Sequence, residues 1–470
     1  METRKVDLCV VGGGSGGLSV AAGAAQLGVT VALIEGHKMG GDCLNYGCIP
    51  SKSLLAAAKR ANVFRTSSAF GIQKEEPKID FKELHDHIQA VIATIAPQDS
   101  VERFKKLGVQ VIHEKARFLS PSLLQAGNVK IEAKYFVIAT GSSPAIPPIS
   151  GIESVAYLTN ETIFNLKEKP DHLIVVGGGP IGCEIAQAYQ MLGVKTTILE
   201  AFTLLPKEDP DCVRVLRDRL KADGIDILEG AKVLSFSQDH KYINAHIDHE
   251  SKKIAIQGSH LLMATGRRPN VKDLGLEEAN VLYNMRGIEV DARLRTSNKK
   301  IYAIGDVIGG YQFTHMASYH AKVVIKNCLF HFPSKVNYNA VPWVTFTDPE
   351  VAHVGTAHTK SPDCKTFVWP YKDCDRAQTE RETEGFIKVS TTKKGRILGV
   401  SIIGVNAGEL ILPWGLAIAN NLKMRALADV IVPYPTLSEL TKKVAGSFYK
   451  SILFSPFVRK VIRFLMKVMP

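Results

Sequence analysis

Apolar and polar positions follow one another along this chain in blocks whose period changes. Val6-Asp7-Leu8-Cys9-Val10-Val11 is a short apolar run that leads straight into glycines, and it reads as a buried strand. Small and apolar residues from Leu18 to Ala22 predict a closely packed helix, and a second apolar run, Val29 to Ile34, predicts the next strand. The same order returns later: His172 to Val176 as strand, Glu184 to Leu192 as helix, Thr196 to Leu199 as strand. This recurrence predicts an α/β chain built on two similar units. Near the C-terminus the period becomes helical. At about 100° per residue, Phe457, Val461, Phe464, Leu465 and Val468 fall on one side, and Arg459, Lys460, Arg463 and Lys467 fall opposite. Ser455 suits the N-cap of that helix and Pro456 its first position.

The glycines between strand and helix supply chemistry. Gly12, Gly14 and Gly17 have the G-x-G-x-x-G spacing of a dinucleotide-binding turn, and the second strand ends at Glu35. The first glycine permits the tight turn, the second lets a pyrophosphate approach the backbone, and the third lets helix and strand pack closely. The helix N-terminus offers N–H groups to the anion, and Glu35 is placed to accept a ribose hydroxyl. Gly177, Gly179 and Gly182 repeat the spacing, with Glu200 in the place of Glu35. Two complete fingerprints predict two dinucleotides. Glu200 would bond a ribose 2′-hydroxyl and repel a 2′-phosphate, which favours NADH over NADPH, although Lys207 nearby in sequence leaves NADPH open.

Composition narrows the class. The chain has 470 residues, 45% of them hydrophobic, enough for two to four domains. A net charge of +12 raises the question of nucleic acid or membrane. No basic run interleaved with aromatics occurs before the C-terminus, which argues against nucleic acid. No secretory leader precedes the first strand, and no apolar stretch is long and uncharged enough to span a bilayer. Of eight cysteines, Cys9, Cys183, Cys212, Cys328, Cys364 and Cys374 sit singly and read as small core residues of a protein in a reducing compartment, the cytoplasm.

The remaining two stand together in Gly40-Gly41-Asp42-Cys43-Leu44-Asn45-Tyr46-Gly47-Cys48-Ile49-Pro50-Ser51-Lys52. Four residues separate Cys43 from Cys48, a span over which a turn brings two Cα atoms within disulfide range. The bland alternatives are two core cysteines or half a zinc site, and no second C-x-x-C pair completes such a site. The segment resembles the signature of the pyridine nucleotide-disulfide oxidoreductases, a family that includes dihydrolipoamide dehydrogenase, glutathione reductase and mercuric reductase. Ala139-Thr140-Gly141, Ala264-Thr265-Gly266-Arg267-Arg268-Pro269-Asn270, Ile301-Tyr302-Ala303-Ile304-Gly305-Asp306 and Pro349 to Gly355 resemble further segments of that family.

The resemblance implies two Rossmann-like domains, one for FAD and one for NAD, and a C-terminal α+β dimerisation domain. Its expected borders are 1–152 and 271–338 for FAD, 153–270 for NAD(P), 339–450 for the interface and 451–470 for the basic tail. It implies a homodimer whose active sites borrow residues from the partner. It also implies a redox-active disulfide. Cys48 becomes the thiolate against the flavin, Cys43 the interchange thiol, and Lys52 the neighbour of the flavin paired with Glu184 near the nicotinamide. Gly41, Thr140, Gly141 and Asp306 join Gly12, Gly14, Gly17, Glu35 and Lys52 around FAD, with Asp306 on the ribityl chain. The helix expected to start near Met316-Ala317 aims its N-terminus at the flavin. Gly266 joins Gly177, Gly179, Gly182 and Glu200 around NAD. No resident metal site is implied.

One position departs from the disulfide-reducing members. They carry a histidine before Pro-Thr and a glutamate five residues on. Here the stretch is Tyr434-Pro435-Thr436-Leu437-Ser438-Glu439, and no histidine follows His358. Histidine titrates near ~6.5 and tyrosine near ~10, so Tyr434 with Glu439 makes a poor acid–base couple at neutral pH. Dihydrolipoamide oxidation suffers; metal–thiolate complexes, quinones and disulfides with acidic leaving thiols suffer less. Mercuric reductases resemble this chain in having tyrosine here. The C-terminal cysteine pair that delivers their metal has no counterpart after Cys374, and their N-terminal metal-binding domain is not expected ahead of Val6. The expected activity is therefore an FAD-dependent, mercuric reductase-like NAD(P)H oxidoreductase acting on a disulfide, metal–thiolate or similar small acceptor. The alternatives are dihydrolipoyl dehydrogenase, an NADH:quinone or diaphorase-type reductase at the membrane surface, and a non-catalytic flavoprotein subunit. The C-terminal helix carries two expectations: it packs on the body or the partner subunit, or it lies on the inner membrane face.

Overall fold

In the computed structural model of this chain, which describes residues 2–356 and 363–469, contacts group into two units. One is Met1–Ala201 with Asp226–Val336, the other Phe202–Ile225 with Asn337–Pro470.

The first unit holds two parallel sheets. In the larger, Gln110–Ile112, Val31–Ile34, Glu2–Val11 and Val129–Ile138 lie side by side in that order, all parallel, and Ile301–Ala303 adds a parallel strand to Val129–Ile138. An antiparallel hairpin, Ala116–Ser120 and Leu123–Ala126, completes the edge. The first strand begins at Glu2, four residues before the apolar run, because its polar start pairs with Val129–Ala133. The core between this sheet and the helices Ser15–Gln26 and Thr314–Cys328 is aliphatic, with Leu8, Val10, Leu33, Val137 and Val324 inaccessible. The smaller parallel sheet runs Asp226–Glu229, Lys195–Glu200, His172–Val176, His260–Met263, with the helix Pro180–Met191 after its central strand. That helix starts four residues before Glu184, at Pro180, whose missing N–H costs nothing in the first turn.

The second unit is built on a five-stranded antiparallel sheet in the order Pro342–Thr345, Glu350–Gly355, Ile397–Gly404, Phe386–Thr392, Cys364–Pro370. Trp414, Leu440, Val444 and Tyr371 fill its core. The segment Phe202–Ile225, with the helix Pro210–Ala222, belongs here, and buried Asp209 at its N-cap meets Lys388 at 2.9 Å. The chain ends in the helices Ser438–Leu453 and Pro456–Val468. As expected, Ser455 caps the last helix, its Oγ accepting from the Val458 N–H at 3.3 Å. No residue of that helix is buried, so it does not pack its apolar face on the chain's own body. Of the six lone cysteines, five are buried; Cys364, on a strand, is only half-buried and is not a core residue. Among the described residues no helix is long and apolar enough to cross a membrane.

Candidate active site

The two glycine turns are built alike. Gly12 has φ +108°, and a Cβ there would lie 2.4 Å from the Ala139 carbonyl oxygen; Gly177 has φ +112° and would meet that of Ala264 at 2.3 Å. A Cβ on Gly17 or Gly182 would lie 1.9 Å from the carbonyl oxygen of Gly12 or Gly177. No larger residue fits these four positions. The middle glycines differ. A Cβ on Gly14 would meet only Gly41 Cα, at 3.8 Å, and one on Gly179 would meet nothing within 4 Å. Space is thus left open at the point where a pyrophosphate needs it. Each strand-end carboxylate binds its own turn: Glu35 accepts from the Gly13 and His37 N–H groups at 2.5 and 2.6 Å, and Glu200 accepts from Gly178 N–H at 2.6 Å. The residues present fit a dinucleotide at both turns.

Further residues named from the sequence hold the strand ends and the helix start in the same unit. Asn270 clips the strand end, accepting from Thr140 Oγ1 at its carbonyl (2.8 Å), donating to the Thr140 carbonyl (2.9 Å), and donating its own N–H to the Gly141 carbonyl (3.0 Å). Asp306 accepts from Ser142 Oγ at 2.6 Å, and burial raises its pKa. Gly266 holds the opposite strand end with φ +105° and accepts from Ala145 N–H. The helix Thr314–Cys328 begins two residues before the expected start, so the Met316 and Ala317 N–H groups already donate to the Phe313 carbonyl.

Cys43 sits on the short helix Gly41–Asn45, and Cys48 opens the long helix Cys48–Thr66. Cys48 is exposed and Cys43 half-buried. The hydrogen bond from Cys43, foremost, holds the Cys48 thiol down to about 6. Burial works against it, while Thr314 Oγ1, 3.4 Å from the sulfur, and the Lys52 ammonium add to it. Cys43, tied to that thiolate and partly buried, is pushed well up. The N-terminus of a helix favours the same charge on Cys48. The pair is thus divided into one thiolate and one thiol at neutral pH. Four residues further along the helix, Lys52 Nζ donates to Glu184 Oε2 at 2.7 Å, joining the helices Cys48–Thr66 and Pro180–Met191. Glu184 is buried, so the pair fixes both ends.

Sequence reasoning missed several residues of this site. Arg267 donates from Nε to Ser142 Oγ (2.7 Å) and contacts Asp42 Oδ1 at 3.1 Å, next to Cys43; Asn160 donates to the same oxygen at 3.0 Å. His320, buried and held neutral by burial at a pKa of about 4, accepts from Gly305 N–H at 3.2 Å. The only sequence signal for Arg267 was its place in the segment after Gly266. Tyr434 and Glu439 belong to the second unit. Tyr434 is 69% exposed, and its hydroxyl donates to Asp375 Oδ2 at 2.9 Å; that bond and the carboxylate's charge raise its pKa. Glu439 lies in the first turn of Ser438–Leu453, with Oε2 buried.

Comparison with known proteins places these features in company. Residues 6–321 match the family described as pyridine nucleotide-disulphide oxidoreductase, and residues 341–445 match its dimerisation domain. Mercuric reductase from Lysinibacillus sphaericus is 34% identical over 453 residues, covering 95% of this chain and 83% of that protein. Dihydrolipoyl dehydrogenase from Geobacillus stearothermophilus is 34% identical over 453 residues, covering 94% and 96%. Among solved structures, the Cu(II) complex of the HOCl-induced flavoprotein disulfide reductase RclA from Escherichia coli aligns with a TM-score of 0.85 at 29% identity, over 94% of this chain and 99% of that one.

Proposed function

The chain belongs to the pyridine nucleotide-disulphide oxidoreductase family, and from that premise we propose that it reduces a soft metal ion presented as a thiolate complex, with NADH as donor and Cys43 and Cys48 as the reacting pair. It is an FAD- and NAD(P)H-dependent oxidoreductase with a dimerisation domain, and it forms a homodimer. FAD, when bound, supplies the relay between hydride transfer and thiol chemistry.

The choice of acceptor rests on Tyr434. Its hydroxyl is already given to Asp375 and its pKa is raised, so at neutral pH it takes no proton from an incoming dithiol. A metal–thiolate complex needs no such proton removed. The sulfurs of Cys43 and Cys48 exchange with its ligands, soft donor for soft donor. The displaced thiolate ligands leave, one of them taking the Cys43 proton; two electrons pass to one Hg(II) or to two Cu(II) in turn, and the two sulfurs join as a disulfide. NADH, when bound, would supply as hydride the two electrons and the proton that return the disulfide to one thiol and one thiolate. Likeness to a mercuric reductase and to the Cu(II) complex of a disulfide reductase supports this reading; likeness to dihydrolipoyl dehydrogenases supports the alternative that Tyr434 opposes.

In this reading the Cys48 thiolate faces the flavin, and Cys43 faces the acceptor. Lys52 and Glu184 fix the boundary between the two nucleotide sites. Gly12, Gly14, Gly17, Glu35, Gly41, Thr140, Gly141, Asp306 and the Met316-Ala317 turn hold FAD, and Gly177, Gly179, Gly182, Glu200 and Gly266 hold NADH. Tyr434 and Glu439 of one subunit serve the thiols of the other. We assign 1–152 and 271–338 to FAD, 153–270 to NAD(P), 339–450 to the interface and 451–470 to the basic tail, with Phe202–Ile225 packing in the second unit. A cytoplasmic location, where thiols stay reduced, is in keeping with the single buried cysteines.

Anaerobic reduction with NADH, followed by steady-state turnover on Hg(II) with excess thiol, Cu(II) with thiol, dihydrolipoamide and a short-chain quinone, tests the proposal. Turnover on a metal complex, lost in Cys43→Ala, is expected, with slow dihydrolipoamide oxidation. Dihydrolipoamide oxidised as fast as metal is reduced would overturn the choice of acceptor. Quinone turnover untouched by Cys43→Ala, with no metal turnover, would make the enzyme a diaphorase.

A further inference from the structure

We infer that the C-terminal helix Pro456–Val468 is a docking element for an anionic lipid surface. The inference stands on the helix alone and does not depend on the identity of the electron acceptor. The helix starts by local chemistry, with Ser455 as cap and Pro456 in the first turn, so its formation asks little of the rest of the chain. None of its residues is buried. On the apolar face Phe457 is 74% exposed, Phe464 63% and Val468 63%, and Ile452, Leu453 and Phe454 at the end of the preceding helix are exposed as well. Scattered exposed apolar residues are ordinary, but a contiguous face of this kind marks a contact.

The opposite face settles the kind of contact. Arg459, Lys460, Arg463 and Lys467 share one arc, and no acidic residue occurs between Glu439 and the last residue, Pro470. A second copy packed through the same apolar face by a two-fold axis would leave both basic rows facing solvent, so it would answer only one of the two faces. A bilayer with anionic headgroups satisfies both faces at once. The apolar face enters the boundary between headgroups and acyl chains, and the cations stay among the phosphates. At 13 residues the helix is too short to span and lies flat. The homodimer carries two such helices, so engaging one raises the effective concentration of the other at the surface.

Flotation of the FAD-loaded dimer with phosphatidylcholine vesicles, with and without phosphatidylglycerol, tests this. The full chain is expected to float with the anionic vesicles only, and less so as salt screens the charges. A chain ending at Phe454 is expected to stay in solution, with its dimer mass and NADH-driven turnover unchanged. The variant Arg459→Glu with Lys460→Glu, Arg463→Glu and Lys467→Glu keeps the apolar face intact. It is expected to weaken vesicle partitioning by at least about fivefold per reversed charge. Equal flotation of the truncated and full chains would overturn the inference. So would a full chain that ignores anionic vesicles while its truncated form falls to monomer, which would assign the helix to subunit packing.

Discussion

The two nucleotide turns repeat one another at a fixed distance: Gly12 and Gly177, Glu35 and Glu200, are each 165 residues apart. The same four backbone collisions exclude side chains, the same middle glycine is left open, and the same carboxylate binds the turn. At this spacing Ser19 of the first helix answers to Glu184 of the second. Ser19 Oγ donates to its own helix, to the Ser15 carbonyl at 2.7 Å, while Glu184 reaches out to Lys52. Only the first turn is followed by the thiol pair. A shared scaffold therefore carries two cofactors, and the chemistry comes from a few side chains added to one copy and not the other.

The comparison breaks most sharply at the thiols. Cys43→Ala or Cys48→Ala is expected to cut metal–thiolate reduction by on the order of a thousandfold or more, while FAD stays bound. Anaerobic turnover and the flavin spectrum measure the two separately. The middle glycines sharpen it next. A Cβ at either position meets no backbone atom closer than 3.8 Å, so both variants are expected to fold. Gly14→Val is expected to yield colourless protein, and Gly179→Val yellow protein whose KM for NADH rises roughly a hundredfold, the scale on which a few methylene groups discriminate. A Gly179→Val enzyme with normal KM would mean that the second fingerprint does not bind the donor. Glu184→Gln removes a charged hydrogen bond and is expected to cost about tenfold in turnover, with Ser19→Ala near neutral.

The smallest effect lies in pH. The Cys48 pKa is depressed, so the thiolate is present above about 6 and lost below it. Alkylation by iodoacetamide should follow a midpoint near 6. Thr314→Val removes a bond that favours the thiolate and should raise that midpoint by about half a unit to one unit, slowing alkylation at pH 6 and leaving pH 9 unchanged. A midpoint near that of an ordinary thiol in the parent protein would show that the Cys43 hydrogen bond does not form.

Local sequence made much of this legible. The turns announce themselves because glycine spacing, strand and helix all lie within about 25 residues, and the C-terminal helix because its cap and period are local. Tertiary pairing hid the rest. Thr314 comes to Cys48 from 266 residues away, and Arg267, on a short strand, and Asn160, in a turn, converge on Asp42. The first strand is four residues longer than its apolar run because hydrogen bonding to a neighbour, and not burial, extends it. Helix starts at Pro180 and Thr314 were read late because the first turn carries no apolar period.

The bonds from Glu35 to Gly13 and from Glu200 to Gly178 bear on kinetics as well as geometry. Each turn is held by the chain's own carboxylate, which fixes the amide that would otherwise let the loop wander. Reconstitution of the stripped protein should then be a single bimolecular phase whose rate rises linearly with FAD concentration, without a slow ordering step after encounter.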